Sequence, residues 1–319
     1  MTGNKLSIVV PCFNEQAVLP KSEPVFKAIL VKLFQQDLIS NDSQIVFVDD
    51  GSQDQTWSLI EQFSSQDKNI SGIKLSRNFG HQNALIAGMT TTQDSDMIVT
   101  IDSDLQDDPN AIIEMVKKYH EGYEVVYGVR NNRQSDTEFK RWTAETYYKM
   151  MGHLGVKMVP DSADFRLLDQ RAVKTLLSYH ERNLFLRGLV PLVGYKSAKV
   201  YYVRSKRVAG KSKYPLGKML HFAMDGLTSF SVVPIKLIMN LGLLLVLVAI
   251  FLLAYTLIRK AEGRVVTGWS SLMISIWALG GVQLICISVI GEYIGKIFYE
   301  VKQRPRFTIE TDLYHDKKN

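Results

Sequence analysis

The chain has 319 residues, enough for about two domains, with 46% hydrophobic residues and a formal net charge of +6. Its two cysteines, Cys12 and Cys286, exclude a disulfide framework and have no zinc-ligand spacing. No recognised nucleic-acid-binding motif accompanies the positive charge, so we expect no nucleic-acid partner and attribute the charge to an anionic membrane surface.

Short β-branched runs alternate with helical patterns from residue 6 to about residue 130. The predicted strands are Leu6–Val10, Gln44–Val48, Gly72–Leu75, Met97–Ile101 and Glu124–Tyr127. The predicted helices lie near 15–36, 54–65, 81–91 and 109–121. This alternation predicts right-handed βαβ units, and therefore an α/β fold with a mostly parallel, Rossmann-like sheet.

Residues suited to binding a nucleotide follow the first two predicted strands. Pro11, Phe13 and Glu15 come after the first strand, and Asp49 and Asp50 come after the second. Because parallel strands end at the same edge of a sheet, both turns would frame one ligand. A carboxylate there can accept hydrogen bonds from a base or a ribose. One aspartate would do this and the other would satisfy the following turn; the assignment stays open.

Four carboxylates lie within seven residues after the fourth predicted strand. Asp102, Asp104, Asp107 and Asp108 would repel one another unless a cation or a donor-rich ligand sits among them. Helix capping explains Asp108 before Pro109, but it does not explain Asp102 or Asp104. We therefore predict that these two form a functional pair, placed for a hard metal ion that carries a phosphate.

The next portion contains a predicted helix near 137–151, a strand near 165–168, helices near 170–178 and 183–190, and a strand over 197–204. The next segment, Arg204–Lys218, carries six cations and no acids, and we call it the cationic neck. Downstream, Tyr214–Phe230 has apolar residues at spacings of three and four, which suits a helix on a membrane surface or one packed on the preceding domain.

Two long uncharged stretches predict a membrane hairpin. Leu237–Ile258 has 22 residues and Ser270–Ile290 has 21, and each matches the ~20 residues that a helix needs to cross a bilayer. Eleven cations flank the two stretches and three lie in the loop between them, so both flanks are expected in the cytoplasm. The alternative, a pair of buried helices in a soluble core, rarely stays uncharged for so long.

The sequence thus divides into a cytoplasmic catalytic domain over 1–213, a juxtamembrane helix over 214–234, a transmembrane hairpin over 235–290 and a cytoplasmic tail over 291–319. The apolar run after Lys5 is far too short for a signal peptide. We expect a multi-pass protein of the cell membrane with both termini in the cytoplasm. Gly280-Gly281 permits close helix packing and a homo-oligomer, but the oligomeric state is not readable.

Four motifs occur in one order along the chain. They are SIVVPCFNE at 7–15, VDDGSQDQT at 48–56, RNFGHQ at 77–82 and DSDLQDDP at 102–109. Together they resemble family 2 glycosyltransferases of the GT-A fold, in the branch of dolichyl-phosphate mannose synthase and bactoprenol glucosyltransferase. The two-helix tail resembles the bacterial bactoprenol enzymes in particular.

The resemblance implies a donor site for a nucleotide sugar. In such enzymes the turns that correspond to Pro11–Glu15 and to Asp49 and Asp50 hold the base and ribose. Asp102-Ser-Asp104 resembles the DxD motif, which reaches the ribose and binds Mg²⁺ or Mn²⁺ on the diphosphate. We expect Asp104 to be the direct metal ligand, with Asp102 beside it.

The resemblance also implies an acceptor site for a polyprenyl phosphate. ADFRLL at 163–168 matches the acceptor-side motif, with Asp164 as the proposed catalytic base and Arg166 as its orienting or phosphate-binding partner. A phosphate monoester has its second pKa near ~6, so the acceptor needs little deprotonation, and Asp164 can instead orient it or stabilise charge on the sugar. The predicted phosphate-binding cations are Arg130, Arg204, Arg207 and Lys211.

The implied reaction is one inverting transfer from UDP-glucose to undecaprenyl phosphate at the cytoplasmic face of the membrane, with UDP-N-acetylglucosamine and GDP-mannose as alternative donors. His81 is expected to be structural or close to the nucleotide rather than a base. A catalytically silent nucleotide-binding scaffold is the rival from another class, and intact Asp102, Asp104 and Asp164 argue against it. A nucleotidyltransferase would need neither the hairpin nor the cationic neck.

Overall fold

The computed structural model describes residues 3–131, 158–182, 184–205, 233–262 and 268–316. The chain divides into two compact units. One contains a β-sheet and the C-terminal segment from Arg304, and the other contains two long helices. The predicted helix near 137–151 and most of the predicted juxtamembrane helix, 214–232, lie outside the described residues.

The first unit is built on an eight-stranded sheet. Its strands are β1 (Leu6–Cys12), β2 (Gln44–Asp49), β3 (Ile70–Leu75), β4 (Met97–Thr100), β5 (Val125–Arg130), β6 (Ser162–Asp169), β7 (Ser197–Tyr202) and β8 (Ile309–Asp312). Its helices in the described part of the chain are α1 (Leu19–Gln35), α2 (Thr56–Gln66), α3 (His81–Thr91), α4 (Ala111–His120), α5 (Gln170–Ser178), α6 (Leu186–Leu192) and, at the C-terminus, α9 (Leu313–Asp316).

The strand order is β7-β5-β6-β4-β1-β2-β3-β8. β1 runs parallel to β2 and β4, β2 to β3, and β5 to β7. β6 is antiparallel to β4 and β5, and β8 is antiparallel to β3. Every residue of β1 and β4 is buried, as expected for central strands covered on both faces. The predicted α/β fold with a mostly parallel, Rossmann-like sheet is confirmed.

Several strands are longer than the sequence predicts, and this changes where site residues lie. β1 continues through Cys12, so Pro11 is a buried strand residue opposite Val48 rather than part of the following turn. β6 begins at Ser162, which places Asp164 on a strand. At Gly128 the β5–β6 register shifts, and a Cβ there would lie 2.9 Å from the carbonyl oxygen of Phe165, so a glycine is needed beside this part of β6.

The second unit consists of α7 (Val233–Ala261) and α8 (Trp269–Val301). The two stretches predicted to cross the membrane, 237–258 and 270–290, lie within these helices. Among the described residues, one helical segment, Ala278–Val301, is long and apolar enough to cross a bilayer, with a mean hydropathy of 1.5. None of that segment is buried against the protein.

The C-terminal segment, predicted as a tail over 291–319, is divided between the two units. α8 continues to Val301, eleven residues beyond the predicted end of the second span. β8 then joins the edge strand β3, and a salt bridge of 2.8 Å links Glu310 to Lys74. Tyr314 is fully buried next to the sheet. The end of the chain is therefore an integral part of the unit that carries the site.

Candidate active site

The carboxyl end of β2 carries two aspartates with different surroundings. Asp49 is fully buried; its Oδ1 accepts a hydrogen bond of 3.2 Å from the backbone N–H of Ser52, whereas its Oδ2 has no partner among the described residues. Burial raises the pKa of Asp49. Because buried polar atoms are nearly always hydrogen-bonded, Asp49 Oδ2 is an exception that leaves one acceptor atom unused at the end of β2.

Asp50 holds two turns together. Its carboxylate accepts hydrogen bonds from the backbone N–H groups of Phe79, at 2.7 Å, and Gly80, at 3.0 Å, after β3. Gly51 has a φ of +68°, and a Cβ there would lie 2.3 Å from the carbonyl carbon of Arg77. The close approach requires glycine, and the two backbone donors occupy Asp50. The two aspartates that the sequence could not tell apart therefore differ in structure: both oxygens of Asp50 are engaged by backbone donors, whereas Asp49 Oδ2 has no partner among the described residues.

The loop after β1 is fastened to the loop after β2. The backbone N–H of Asn14 donates to Ser52 Oγ at 2.9 Å, and that of Glu15 donates to Thr56 Oγ1 at 2.8 Å. Asn14 takes a positive φ of 53°, a conformation that asparagine tolerates better than most residues. Phe13 and Glu15 are half-buried beside these contacts. The two nucleotide-framing turns of the sequence prediction are thus neighbours.

Asp102 and Asp104 follow β4 at the same edge of the sheet. His81, the first residue of α3, stands between Asp102 and the acceptor-side motif: its Nε2 is 3.5 Å from Asp102 Oδ1 and 3.7 Å from Asp164 Oδ2. Asp104 Oδ1 accepts a hydrogen bond of 3.1 Å from the backbone N–H of Gln106. Desolvation raises the pKa of Asp102; His81 opposes the rise, and the charge on Asp164 adds to it.

The acidic pair offers fewer ligands than a metal site formed by protein groups alone would need. Within the described residues, no group of three or more histidine, cysteine, aspartate or glutamate side chains could hold a metal ion. Mg²⁺ is commonly bound by one or two carboxylates, with phosphate oxygens and water completing its coordination. Asp102 and Asp104 offer such a partial set of hard oxygen ligands.

Asp107 and Arg130 form a buried cluster behind the acidic loop. Asp107 is 3% exposed and accepts hydrogen bonds from Tyr202 Oη at 2.7 Å and from Arg130 Nη2 at 3.1 Å. Burial and the charge of Asp107 raise the pKa of Tyr202. Asp107 thus accepts hydrogen bonds from β7 through Tyr202 and from β5 through Arg130. The guanidinium of Arg130, predicted to bind the acceptor phosphate, is already paired with a buried carboxylate.

The acceptor-side motif places three charged residues together. Asp164 and Arg166 are two residues apart on β6, and Arg166, almost completely buried, donates from Nη2 to Asp164 Oδ1 at 2.6 Å and from Nη1 to the carbonyl oxygen of Leu186 at 3.2 Å. Arg187, whose side chain is 46% exposed, lies 3.7 Å from Asp164 Oδ2. Burial alone would raise the pKa of Asp164, but Arg187 and Arg166 outweigh it and lower that pKa to about 2.

Arg187 is a site residue that the sequence reasoning missed. It lies at the start of α6, within the run RNLFLRG at 182–188, and nothing in that run indicates which carboxylate it faces. Arg204, by contrast, was predicted, and its Nη2 donates to Gln106 Oε1 in the acidic loop. Arg207 and Lys211 lie outside the described residues.

A Rossmann-like sheet with carboxylates at the ends of its parallel strands is typical of nucleotide-dependent enzymes. Residues 7–177 match the model of the glycosyl transferase family 2, and residues 233–297 match that of the GtrB C-terminal hairpin. The chain belongs to the glycosyl transferase family 2, and the family resemblance read from its motifs is confirmed.

Relatives resemble the chain over nearly its whole length. It is 50% identical over 313 residues to the uncharacterized glycosyltransferase YkoT of Bacillus subtilis strain 168, covering 98% of this chain and 93% of that protein. It is 38% identical over 308 residues to the SfII prophage-derived bactoprenol glucosyl transferase of Shigella flexneri, covering 96% and 97%. The crystal structure of glucosyl-3-phosphoglycerate synthase from Mycobacterium tuberculosis with Mn²⁺, UDP-glucose and phosphoglyceric acid aligns with a TM-score of 0.46 at 19% identity, covering 71% of this chain and 78% of that one.

Proposed function

We propose that this protein transfers a single glucose from UDP-glucose to polyprenyl phosphate, with undecaprenyl phosphate as the bacterial acceptor, at the cytoplasmic face of the cell membrane. The observation that carries the proposal is the row formed by Asp102, His81 and Asp164. His81 Nε2 lies 3.5 Å from Asp102, in the loop proposed to bind the metal, and 3.7 Å from Asp164, on the side proposed for the acceptor. Relatives named bactoprenol glucosyl transferase, 36–38% identical to this chain, support glucose and a polyprenyl carrier.

The donor half of the proposed site begins at Asp49. Asp49, whose Oδ2 has no partner among the described residues, is proposed to accept a hydrogen bond from a base N–H or a ribose hydroxyl, and half-buried Phe13 and Glu15 are proposed to complete the nucleotide site. Asp102 and Asp104 are the residues that would hold Mg²⁺ or Mn²⁺. When bound, such an ion neutralises the charge that develops on the departing nucleoside diphosphate. Asp104, which follows buried Ser103 in the loop, is the proposed direct ligand of the metal ion.

The acceptor half of the proposed site requires no general base. The acceptor phosphate monoester loses its second proton near pH ~6, and Asp164, with a pKa of about 2, holds a proton poorly at neutral pH. We therefore assign Asp164 and Arg166 to orienting Arg187, whose exposed guanidinium grips the acceptor phosphate through two parallel hydrogen bonds. Arg130, Arg204, Arg207 and Lys211 remain proposed as further cations along the lipid phosphate path.

The chemical step is a direct displacement. An oxygen of the acceptor phosphate forms the new bond to the anomeric carbon as the bond to the UDP oxygen breaks, and its electron pair leaves with UDP. Two guanidinium groups engage Asp164, which makes it a poor nucleophile and disfavours a covalent sugar intermediate. An α-linked donor then gives a β-linked lipid phosphate sugar.

We propose that α7 and α8 cross the membrane as a hairpin, with the domains divided near residues 213, 234 and 290. β8 follows α8 and pairs with β3, so strands from before α7 and β8 after α8 belong to one folded unit, which we place on one side of the membrane. The number of crossings between them is therefore even. The eleven flanking cations favour the cytoplasm for that side.

A transfer assay tests the proposal. Membranes containing the protein are supplied with undecaprenyl phosphate, Mg²⁺ or Mn²⁺, and labelled UDP-glucose, UDP-N-acetylglucosamine or GDP-mannose in turn, and label in the lipid extract is counted. We expect transfer from UDP-glucose, with Asp104→Ala as the inactive control. Transfer from another donor alone would change the sugar, and donor binding without any transfer by folded protein would favour the silent scaffold.

A further inference from the structure

A cavity of about 350 Å³ opens in the first unit, and its described lining residues include none of those assigned to sugar transfer. Three parts of the chain line it: the later turns of α3 and the loop after them, the end of α5 with the loop that follows, and residues 305–307. The third part is held by β8 and by a hydrogen bond of 3.0 Å from the backbone N–H of Ser76 to the carbonyl oxygen of Thr308. The cavity walls are thus anchored to the sheet.

The lining of the cavity combines cations with apolar surface. His180, Arg182 and Arg306 contribute basic groups, and none of the described residues that line the cavity is acidic. Ile86 and Phe307 contribute apolar surface. The guanidinium of Arg306 also donates to the carbonyl oxygen of Tyr179, which fixes it at the cavity wall. Arginine pairs favourably with phosphate through charge-assisted hydrogen bonds, and the apolar wall suits the hydrocarbon part of the same molecule.

The cavity lies close in sequence to a proposed membrane span. Pro305, in its wall, follows Val301, the last residue of α8, by four residues. Four residues reach at most ~14 Å, so Pro305 lies within that distance of the last residue of α8 along the chain. This step rests on the membrane hairpin of the proposed function. It favours a lipid over a soluble phosphate compound as the source of the anionic group.

We infer that this cavity binds the headgroup of an anionic phospholipid, with Arg182 and Arg306 on the phosphate and Ile86 and Phe307 along the glycerol and upper acyl chain. The site is separate from the one that holds the sugar acceptor. A lipid bound there contacts α3, whose first residue is His81, and so links the membrane surface to a helix of the active site.

Lipid retention tests the inference. Full-length protein is extracted from vesicles made of equal parts phosphatidylglycerol and phosphatidylcholine, and the retained lipids are measured by native mass spectrometry. We expect wild type to retain phosphatidylglycerol preferentially, and Arg182→Gln and Arg306→Gln each to lower that preference about tenfold. Arg306→Lys, which keeps the charge, should restore most of it. Arg171→Gln is the matched control, because Arg171 is 67% exposed, pairs with Glu124 and lies outside the cavity.

Equal retention by wild type and both glutamine variants would overturn the inference, and so would an equal loss in the Arg171→Gln control. Displacement of phosphatidylglycerol by inorganic phosphate alone would show a soluble-phosphate site instead. Protein that transfers sugar but retains no phosphatidylglycerol contradicts only this inference, whereas protein that retains it but transfers no sugar contradicts only the proposed reaction.

Discussion

Two neighbouring aspartates at the end of β2 differ in what they can still bind. Asp50 has both carboxylate oxygens engaged by backbone donors, whereas Asp49 has one buried oxygen without a partner among the described residues. The sequence could predict that this pair matters but could not divide the roles, since the donors to Asp50 come from Phe79 and Gly80, nearly thirty residues away. Backbone contacts of that kind leave no side-chain pattern.

Asn substitutions separate the two roles. Asp49→Asn should weaken binding of UDP about tenfold or more with little change in melting temperature, because the amide can keep the contact to Ser52. Asp50→Asn should lower the melting temperature instead, because its NH₂ group would face a backbone N–H donor. Isothermal titration with UDP and thermal unfolding of both variants give the comparison. Weaker UDP binding in Asp50→Asn together with a lower melting temperature in Asp49→Asn would contradict the roles assigned to the two aspartates.

Asp164 is a second residue whose surroundings determine its role, because they keep it charged. Two guanidinium groups keep its pKa at about 2, below the ordinary value, so the carboxylate stays charged as pH falls until that value is approached. The acceptor phosphate loses its second proton near pH ~6. Asp164→Asn should therefore lower kcat/KM for the acceptor about tenfold or more, because Arg187 loses the carboxylate that orients it, and leave a measurable remnant, with an acid limb of the rate profile near pH ~6 in wild type and variant alike.

Asp104→Ala serves as the contrast to Asp164→Asn, because it should abolish metal-dependent donor binding. Donor affinity with Mn²⁺ and the pH dependence of transfer are measured for both variants. An acid limb that Asp164→Asn removes would identify Asp164 as the titrating base. Complete loss of chemistry in both variants at normal donor affinity would also contradict the division of roles.

Arg187 should contribute to acceptor binding more than to donor binding. Arg187→Gln should raise the KM for undecaprenyl phosphate about tenfold or more, because a charge-assisted contact to phosphate is lost, while the KM for UDP-glucose changes little. Arg187→Lys keeps the charge but not the paired hydrogen bonds, so its KM for undecaprenyl phosphate should lie between those of wild type and Arg187→Gln. Arg171→Gln, on the preceding helix, is the control. A change confined to the donor KM would remove Arg187 from the acceptor site.

At the scale of elements, the sequence predicts the alternating strands and helices well, since hydrophobic runs mark the buried central strands. It does not predict β8. Ile309–Asp312 has four residues and none of them is buried, so no periodic pattern marks it as a strand. Its pairing with β3 depends on a partner more than 230 residues away. For the same reason the sequence does not predict the contact between Arg187 and Asp164, which arises from the packing of α6 on β6.

Tyr314 fastens this last strand to the sheet. Its hydroxyl donates to Asp94 Oδ1 at 2.8 Å and accepts from Lys5 Nζ at 2.7 Å, and Lys5 also pairs with Asp94 at 2.5 Å. Tyr314→Phe should cost about 1 kcal/mol of unfolding free energy, and Tyr314→Ala about 3–5 kcal/mol, since a fully buried ring is removed.

Thermal unfolding of the detergent-solubilised full-length protein measures both Tyr314 variants. Tyr201→Ala is the control, because Tyr201 is 60% exposed on β7 and should change stability little. If Tyr314→Ala unfolds at the wild-type temperature, the C-terminal segment does not stabilise the sheet.

At the scale of the molecule, the chain leaves the first unit before α7 and returns to it after α8. The chain that enters α7 therefore comes from the first unit, and the chain that leaves α8 rejoins that unit by pairing β8 with β3. A unit that contributes strands both before and after the proposed hairpin can lie on one side of a bilayer only if the hairpin crosses it an even number of times. This constraint comes from strand pairing and is independent of the charge asymmetry, which adds only the direction.

Cysteine accessibility tests that topology. Glu262, at the end of α7, should face the outside of the cell, whereas Glu310, on β8, should face the cytoplasm; both are exposed. In intact spheroplasts a membrane-impermeant maleimide should label Glu262→Cys and not Glu310→Cys, and permeabilisation should allow both. Wild type gives the background, because Cys12 is buried and Cys286 lies within the proposed second span. Labelling of both variants, or of neither, before permeabilisation would place the two positions on one side and refute the hairpin.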